Sequence, residues 1–196
     1  MQAEEVIERF KRTGALLEGH FILSSGLHST VYLQCALVLQ HPSEAASFGR
    51  ALAERYSGAQ VETIAAPAIG GLVIGYEVAR FLNARFIWTE RDGEGAMTLR
   101  RGFTVRPGES VLVIEDVITT GGSTRETIST LTSAGARVVG AASIIDRSEG
   151  RADVGVPRLA LATLDVPAVA AAACPACARG EQAIKPGSRK TVNSKQ

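Results

Sequence analysis

From residue 42 onward the sequence alternates short apolar runs with segments of helical periodicity, and this alternation constrains the fold more than any other feature. The apolar runs include VETIAAP, SVLVIED and RVVGAASIID, and they lack the apolar–polar alternation of a strand with one solvent-exposed face. Strands of this type are buried on both faces, as in a parallel sheet covered by helices. The sequence therefore predicts an α/β fold in which a mainly parallel sheet is flanked by helices.

The same patterns place the individual elements. An amphipathic helix, closed by Gly14, is predicted at the N-terminus, and residues 20–40 are predicted to form strands and turns rather than a helix. The other predicted helices are 42–58, 70–83 and 124–135, and the other predicted strands are 61–67, 85–90, 110–116, 137–146 and 158–165.

A chain of 196 residues is expected to form one ordinary domain. We assign that domain to residues 1–166, with an N-terminal subregion at 1–41. At 89–104, glycines and charged residues interrupt the alternation of helices and strands, which predicts a mobile hairpin or lid. The tail at 167–196 is Ala-rich and then basic, and it is expected to be partly disordered.

Composition narrows the classes of partner. The formal net charge is only +1, so there is no electrostatic argument for a nucleic-acid or membrane surface, and a small-molecule partner is favoured. The N-terminus lacks the apolar core of a signal peptide, and no apolar run reaches the ~18 residues of a membrane helix. We therefore expect a cytoplasmic protein.

One stretch carries the chemistry, VLVIEDVITTGGST at residues 111–124. Ligands of an open parallel sheet bind beyond the carboxyl ends of its strands, where Glu115 and Asp116 are predicted to lie. The Gly-rich run that follows precedes a helix whose first N–H groups lack partners, and such a loop can hold a phosphate. A group that lies beside a phosphate and donates hydroxyls is a ribose, so the stretch predicts a site for a ribose 5-phosphate unit.

Two common nucleotide motifs are excluded, because the loop has no Lys of the P-loop type and does not match G-x-G-x-x-G. A structural alternative remains. Ser123 and Glu126 have the spacing of a capping box, and Asp116 could serve a turn.

These residues resemble the phosphoribosyl pyrophosphate (PRPP) signature of type I phosphoribosyltransferases. Within that superfamily, GALLEGHFILSSGLHSTVYLQCALVLQHP resembles the N-terminal hood of the orotate phosphoribosyltransferases, and APAIGG, ERDGEGAMTLRRGF and SIIDRSEG follow in that family's order. The resemblance implies the type I phosphoribosyltransferase fold. It also implies transfer from PRPP to orotate in pyrimidine synthesis, with Mg²⁺ carried by PRPP rather than by a protein metal cluster.

The resemblance also assigns roles. The expected catalytic residues are Asp116, Glu115 and Arg91, of which the acid pair would hold the ribose 2′- and 3′-hydroxyls. The residues expected to bind PRPP are Glu115, Asp116, Val117, Ile118, Thr119, Thr120, Gly121, Gly122, Ser123, Gly70, Gly71 and Arg91. Those expected to contact orotate are Thr119, Arg147, Tyr32 and Ser24.

The chain departs from the family pattern in its lysines. Many relatives carry a Lys beside the pyrophosphate loop and further Lys and His residues in the lid, whereas the lid cations here are Arg91, Arg100 and Arg101. Lys and Arg are not interchangeable, so no proton donor is assigned. In this family the lid reaches the site of the neighbouring subunit, which implies a homodimer.

The cysteines and histidines receive plainer interpretations. CPAC, with Cys174 and Cys177, has zinc-knuckle spacing, but a structural site needs four ligands and there is no second C-x-x-C. A metal site at these two cysteines, including one shared between subunits, is the less favoured alternative and stays open. Reduced thiols are expected because the three cysteines make an odd count. His20, His28 and His41 lack ligand spacing, and turn or packing roles are predicted for them.

Two other functions stay open at this point. The chain could transfer to another base, since the PRPP loop is shared across the superfamily. It could also be a non-catalytic regulator that senses PRPP and binds RNA or DNA, although its near-neutral charge disfavours this.

Overall fold

The structure is a computed structural model, and it describes residues 1–23 and 25–186. The chain forms two compact units. The first comprises Met1–Ala15 and Cys35–Asp165, and the second comprises Leu16–Gln34 together with the chain from Val166 onward. The subregion predicted at 1–41 is thus divided between the units. None of the helices in the described part of the chain has the length and apolar character needed to cross a membrane.

The helices and strands follow one another in this order: α1 (Ala3–Arg12), β1 (Leu16–Ile22), β2 (His28–Leu33), α2 (Cys35–Leu39), α3 (Pro42–Glu54), β3 (Thr63–Pro67), α4 (Gly71–Leu82), β4 (Arg85–Arg91), β5 (Met97–Leu99), β6 (Ser110–Ile118), α5 (Gly122–Ser133), β7 (Arg137–Asp146), β8 (Arg158–Thr163), β9 (Ala168–Val169), a 3-10 turn (Ala171–Ala173) and α6 (Pro175–Ala178).

The first unit is built on a six-stranded sheet with the strand order β5-β4-β3-β6-β7-β8. All of its strand pairs are parallel except that of β4 with β5. The predicted α/β class with a mainly parallel sheet is therefore confirmed. The apolar runs became strands because both faces of the sheet are covered, and Val111, Leu112, Val113 and Ile114 of β6 are completely buried.

Helices cover both faces of this sheet. On one face, Val113 belongs to a buried cluster with Ile128 and Leu131 of α5. On the other face, Ala66 lies against α4, where a Cβ added at Gly75 would lie 3.1 Å from the Ala66 Cβ. α3 packs against α4 on that side. The strand order places β6 between its neighbours, so its carboxyl end lies in the middle of one edge.

The N-terminal helix is closed by Gly14 as predicted. It ends at Arg12, and Gly14 follows the C-cap residue Thr13 with a φ of +67°. Leu16 and Leu17 belong to β1. The absence of a helix from residues 20–40 was predicted wrongly, because Cys35–Leu39 forms the short helix α2 with Cys35, Val38 and Leu39 buried.

The second unit contains a three-stranded sheet in the order β1-β2-β9. β1 and β2 form an antiparallel hairpin, and β9 pairs with the start of β2 through His28 and Val169. Beyond β9, Ile184 returns to β1, where its N–H donates to the carbonyl of His20 at 2.8 Å. The C-terminal chain up to this point is thus built into the unit. The predicted disorder concerns the end of the tail, and residues 187–196 lie outside the described part.

Within the segment 89–104, β4 and β5 pair in antiparallel fashion. Arg91 of β4 pairs with Met97 of β5, and Oδ1 of Asp92 accepts hydrogen bonds from the N–H groups of Glu94 and Ala96 in the turn. Thr130 of α5 donates to the carbonyl of Met97 at 2.7 Å, which attaches β5 to α5. Whether the hairpin acts as a lid is part of the proposal below.

Candidate active site

The acid pair lies at the carboxyl end of the central strand β6. Glu115 is buried and Asp116 is partly buried. Burial, and then the neighbouring charge of Asp116, raise the pKa of Glu115 to about 9. Glu115 therefore carries a proton at neutral pH and donates a hydrogen bond to Asp116, so the pair holds one negative charge rather than two.

The negative charge of the pair resides on Asp116. Burial raises the pKa of this carboxyl, but the N–H of Val117, which donates to Oδ1 at 2.8 Å, and the Glu115 carboxyl oppose the rise. The thiol of Cys35 also lies against Asp116, and burial followed by this charge raises the thiol pKa well above its ordinary value. Cys35 is a neighbour of the acid pair that sequence patterns did not indicate.

The loop after the acid pair encloses a cavity of about 150 Å³. Gly121 has a φ of +75°, and a Cβ at this position would lie 2.8 Å from the Cγ1 of Val154, so both backbone and space require glycine. The turn brings nearly all of the predicted PRPP-binding stretch around one space. The cavity is lined by Glu115, Val117, Ile118, Thr119, Thr120, Gly121, Gly122, Ser123 and Thr124.

The N-terminus of α5 opens onto this loop without a side-chain cap. Gly121 is the N-cap residue, and no side-chain hydrogen bond caps the helix. The alternative of a capping box is therefore wrong, because Ser123 lies inside the first turn and Glu126 instead forms an ion pair with Arg91 at 2.8 Å. The first N–H groups of α5, together with the positive end of its dipole, are available to an anion in the cavity.

The second predicted loop lies beside the acid pair. A Cβ added at Gly70 would lie 2.8 Å from Oδ1 of Asp116, so the loop lies close beside the carboxylate and has no room for a side chain there. Gly71 begins α4, and an added Cβ there would lie 2.9 Å from the carbonyl oxygen of Ile114. The peptide bond between Ala68 and Ile69 in this loop is cis. Two helix N-termini, those of α4 and α5, thus border the acid pair.

Arg147 follows β7 and is half-buried. Its N–H donates to the carbonyl of Ile118 at 2.8 Å, which fixes the residue beside the cavity loop. Asp146 pairs with Arg158 at 2.8 Å, and Glu149 pairs with Arg151.

The cations of the hairpin lie in ion pairs within the same chain. Arg91 pairs with Glu126 of α5, while Arg101 pairs with Glu90 at 2.9 Å and Arg100 approaches Glu90 at 3.8 Å. The pair of Arg91 with Glu126 is exposed on both sides, so it is weak and can exchange partners, whereas Glu90 is mostly buried.

The remaining predicted residues belong to the second unit. Tyr32 is half-buried in β2, and its ring lies 5.7 Å from that of Phe21. Ser24 lies outside the described residues. The prediction that His20 and His28 have no ligand arrangement was wrong, because the fold brings them together with Cys174 and Cys177.

The chain is similar to known phosphoribosyltransferases. The family described as "Phosphoribosyl transferase domain" matches residues 36–156. A curated orotate phosphoribosyltransferase of Pelotomaculum thermopropionicum is 50% identical over 97% of this chain and 100% of its own length. One of Thermotoga maritima is 51% identical over 93% of this chain and 97% of its own length. The crystal structure of orotate phosphoribosyltransferase from Aeropyrum pernix has a TM-score of 0.68 and 30% identity, covering 81% of this chain and 93% of that one.

Proposed function

The chain belongs to the orotate phosphoribosyltransferases of the phosphoribosyl transferase family. On this basis we propose which of its residues bind each substrate and which stabilise the transition state. The enzyme transfers the 5-phosphoribosyl group from PRPP to orotate, giving orotidine 5′-monophosphate and pyrophosphate in pyrimidine biosynthesis. The observation that carries the assignment of roles is the cavity that joins Glu115 to the N-terminus of α5.

The 5′-phosphate of PRPP occupies this cavity. Its oxygens accept hydrogen bonds from the uncapped N–H groups at the start of α5, and the loop hydroxyls add further donors. The ribose then extends toward the strand end, where Glu115 and Asp116 receive its 2′- and 3′-hydroxyls. The residues that carry this role are Glu115, Asp116, Val117, Ile118, Thr119, Thr120, Gly121, Gly122 and Ser123.

The pyrophosphate lies at the N-terminus of α4. Gly70 lies close beside Asp116, so a group bound by backbone N–H groups at Gly70 and Gly71 lies next to the ribose. This loop has no Lys, and Arg91 supplies the cation in the proposed closed state.

Mg²⁺ is carried by PRPP itself. The two carboxylates nearest the cavity share a proton and hold a single negative charge, a poor set for an all-protein magnesium cage. When bound, the ion neutralises charge on the pyrophosphate oxygens.

Orotate is held by Arg147 and Thr119, and Tyr32 and Ser24 stay predicted contacts of the base. A guanidinium keeps its charge at all relevant pH values and suits a planar base with a carboxylate. The position of Arg147, whose backbone is bonded to Ile118 at the cavity loop, supports this assignment.

The acid pair also favours the transition state. As pyrophosphate leaves, the ribose ring gains positive charge at its anomeric carbon, and a carboxylate that already lies in place lowers the free energy of that charge. Asp116 carries this negative charge, and Glu115 acts as a hydrogen-bond donor that holds Asp116 in position. Neither residue transfers a proton in the proposed mechanism.

The hairpin at 89–104 acts as a lid that excludes water from PRPP. Arg91 exchanges its exposed pair with Glu126 for the pyrophosphate of the neighbouring subunit's site in a homodimer. An apolar groove of about 660 Å³ on α4 and β4, with Val73 and Tyr76 exposed, supports association through this face.

The activity is tested by adding PRPP and Mg²⁺ to purified protein and following the loss of orotate absorbance. Adenine, hypoxanthine, xanthine and uracil are assayed in parallel by chromatography. We expect turnover of orotate alone, and turnover of another base in its place would contradict the proposed base contacts.

The ribose assignment is tested separately by Asp116→Asn. We expect kcat/KM to fall at least about 100-fold, since the carboxylate charge is lost at the developing cation, while the far-UV spectrum stays unchanged. Asp165→Asn, at an exposed acid after β8, is the matched control. Near-normal turnover by the Asp116 variant would remove the ribose assignment while leaving the identity of the substrate untouched.

A further inference from the structure

The second unit gathers four side chains that are typical metal ligands. Their ligand atoms all lie within 4.8 Å of one another, and three of the four residues are buried. They come from β1, β2 and the C-x-x-C segment around α6, so the fold rather than sequence spacing assembles them. The members of this Cys2His2 cluster are His20, His28, Cys174 and Cys177.

The distances within the cluster fit a tetrahedral ion. Zinc with Zn–S bonds of about 2.3 Å and Zn–N bonds of about 2.0–2.1 Å separates a sulfur from a nitrogen ligand by about 3.5 Å. Nε2 of His20 lies 3.4 Å and 3.6 Å from the two sulfurs, and Nδ1 of His28 lies 3.3 Å from the sulfur of Cys177. The two nitrogens are 2.7 Å apart and need to separate by only roughly half an ångström around an ion.

The surroundings orient the ligands as metal sites require. Nδ1 of His20 lies 3.0 Å from the carbonyl oxygen of Glu181. A carbonyl can only accept, so Nδ1 carries the proton and Nε2 keeps its lone pair, which faces the cluster.

We propose that the Cys2His2 cluster binds one zinc ion as a closed, structural site. Two nitrogens and two sulfurs in a tetrahedral arrangement are the ligand set of structural zinc, and four protein ligands leave no open position for catalysis. Binding displaces the remaining thiol protons and replaces the contact between the two imidazoles. The inference is independent of the transferase reaction, since no member of the cluster has a role in it.

The ion has a clear structural task. The unit consists of a hairpin and a C-terminal segment whose pairing strand β9 has only two residues. Its buried apolar residues are few, and small units of this kind rely on metals or disulfides for stability. Zinc bound to both strands of the hairpin and to both cysteines fastens the C-terminal segment onto the hairpin.

The first test is the metal content of the full chain, purified without chelator and measured by mass spectrometry. We expect about one zinc per chain, lost in Cys177→Ser and in His28→Asn. Cys35→Ala and His41→Asn remove a thiol and an imidazole outside the cluster and should retain the ion. Failure to bind zinc, even when zinc is added to the reduced chain, would overturn the proposal.

Cobalt replacement tests the ligands without relying on the folding of variants. Wild-type protein that has been stripped of metal and loaded with Co²⁺ should show the intense visible bands of tetrahedral cobalt together with a thiolate charge-transfer band. Weak octahedral bands would overturn the assignment. So would a Cys174–Cys177 disulfide found by peptide mapping of protein purified without an oxidant, because that bond consumes both sulfur ligands.

The structural role has its own measurement. Removal of the metal by a chelator should accelerate tryptic cleavage after Arg179, which lies at the end of α6, and added zinc should restore protection. Unchanged cleavage of the metal-free chain would show that the ion does not fasten this segment.

Discussion

At the scale of single residues, Glu115 carries a proton in the folded protein that it loses when the chain unfolds at neutral pH. Its pKa is about 9 in the fold and near its ordinary value of 4.5 in the unfolded chain. Between these values the folded state binds more protons, so the free energy of unfolding falls as pH rises through this window. The buried carboxyl of this candidate active site therefore lowers the stability of the fold at neutral pH, as is common for groups placed for function.

Replacing Glu115 by Gln should remove this cost. An amide remains neutral and can still donate to Asp116, so we expect the free energy of unfolding at about pH 8 to rise by roughly 1–3 kcal/mol and its pH dependence to flatten. Urea denaturation between about pH 5 and pH 9 measures both effects. Glu8→Gln, at an exposed position of α1, is the control. A variant that follows the wild-type curve would show that Glu115 is ionised in the fold.

Gly70 offers a second test at the same scale. In Gly70→Ala the added Cβ would meet Asp116 at 2.8 Å from Oδ1, in a space with no room for it. Since the carboxylate must move, we expect kcat/KM to fall at least about 10-fold, with most of the loss in affinity for PRPP. Gly58→Ala, where nothing lies within 4 Å of an added Cβ, should leave steady-state kinetics unchanged. Equal behaviour of the two variants would contradict the close approach of this loop to the acid pair.

At the scale of elements, the opposite end of the sheet is held by a buried acid. Glu109 precedes β6 and accepts hydrogen bonds from Thr63 of β3 and, at 2.6 Å, from Arg85 of β4. Burial raises the pKa of Glu109, but the N–H of Arg106 and these two side chains outweigh it and lower the pKa to about 2. One carboxylate thus connects three neighbouring strands.

Because the pKa of Glu109 in the fold lies below that in the unfolded chain, its contribution to stability is present above about pH 4.5 and is lost as pH falls toward about 2. Glu109→Gln should lower the free energy of unfolding by roughly 1–3 kcal/mol at neutral pH and by much less near about pH 3. Denaturation at the two pH values checks this. Glu54→Gln, which breaks an exposed pair with Arg50, should change stability little. An equal loss at both pH values would contradict the ionised form of Glu109.

The elements of the first unit were predictable wherever one physical signal dominated. Uninterrupted apolar runs predicted the parallel strands, since only burial on both faces tolerates such runs. CALVL at Cys35–Leu39 was missed because five apolar residues give no period that separates a helix from a strand. The spacing of Ser123 and Glu126 suggested a capping box, but Gly121 is the N-cap residue and Glu126 forms an ion pair with Arg91.

At the scale of the whole molecule, the sequence could not reveal the side-chain cluster that long-range contacts assemble. His20 and Cys174 are 154 positions apart, and they meet because β9 and Ile184 pair with the hairpin of the second unit. No local pattern encodes that pairing. The candidate site in the first unit was easier to predict, because β6, the acid pair and the Gly-rich loop that lines the cavity are contiguous in the chain.

Whether the lid serves its own site or that of a partner can be decided with mixed dimers. In the proposed homodimer, one subunit with Arg91→Met and one with Asp116→Asn would form one doubly impaired site and one intact site. Mixed dimers isolated with two different affinity tags should therefore regain about half of the wild-type activity per dimer, although each parent is nearly inactive. If each lid served its own site, both sites would carry one defect and activity would stay at the level of the parents.

The reciprocal pairing is the matched control, because it contains the same substitutions in a different arrangement. A wild-type subunit is combined with a subunit that carries both Arg91→Met and Asp116→Asn. When lids cross between subunits, the defective lid impairs the wild-type site and the intact lid serves a site without Asp116, so little activity remains. When each lid closes over the site of its own subunit, the wild-type subunit keeps a complete site, and about half of the wild-type activity per dimer remains. The two pairings thus give opposite results under the two geometries when each substitution alone leaves the enzyme nearly inactive, which the parent dimers measure directly.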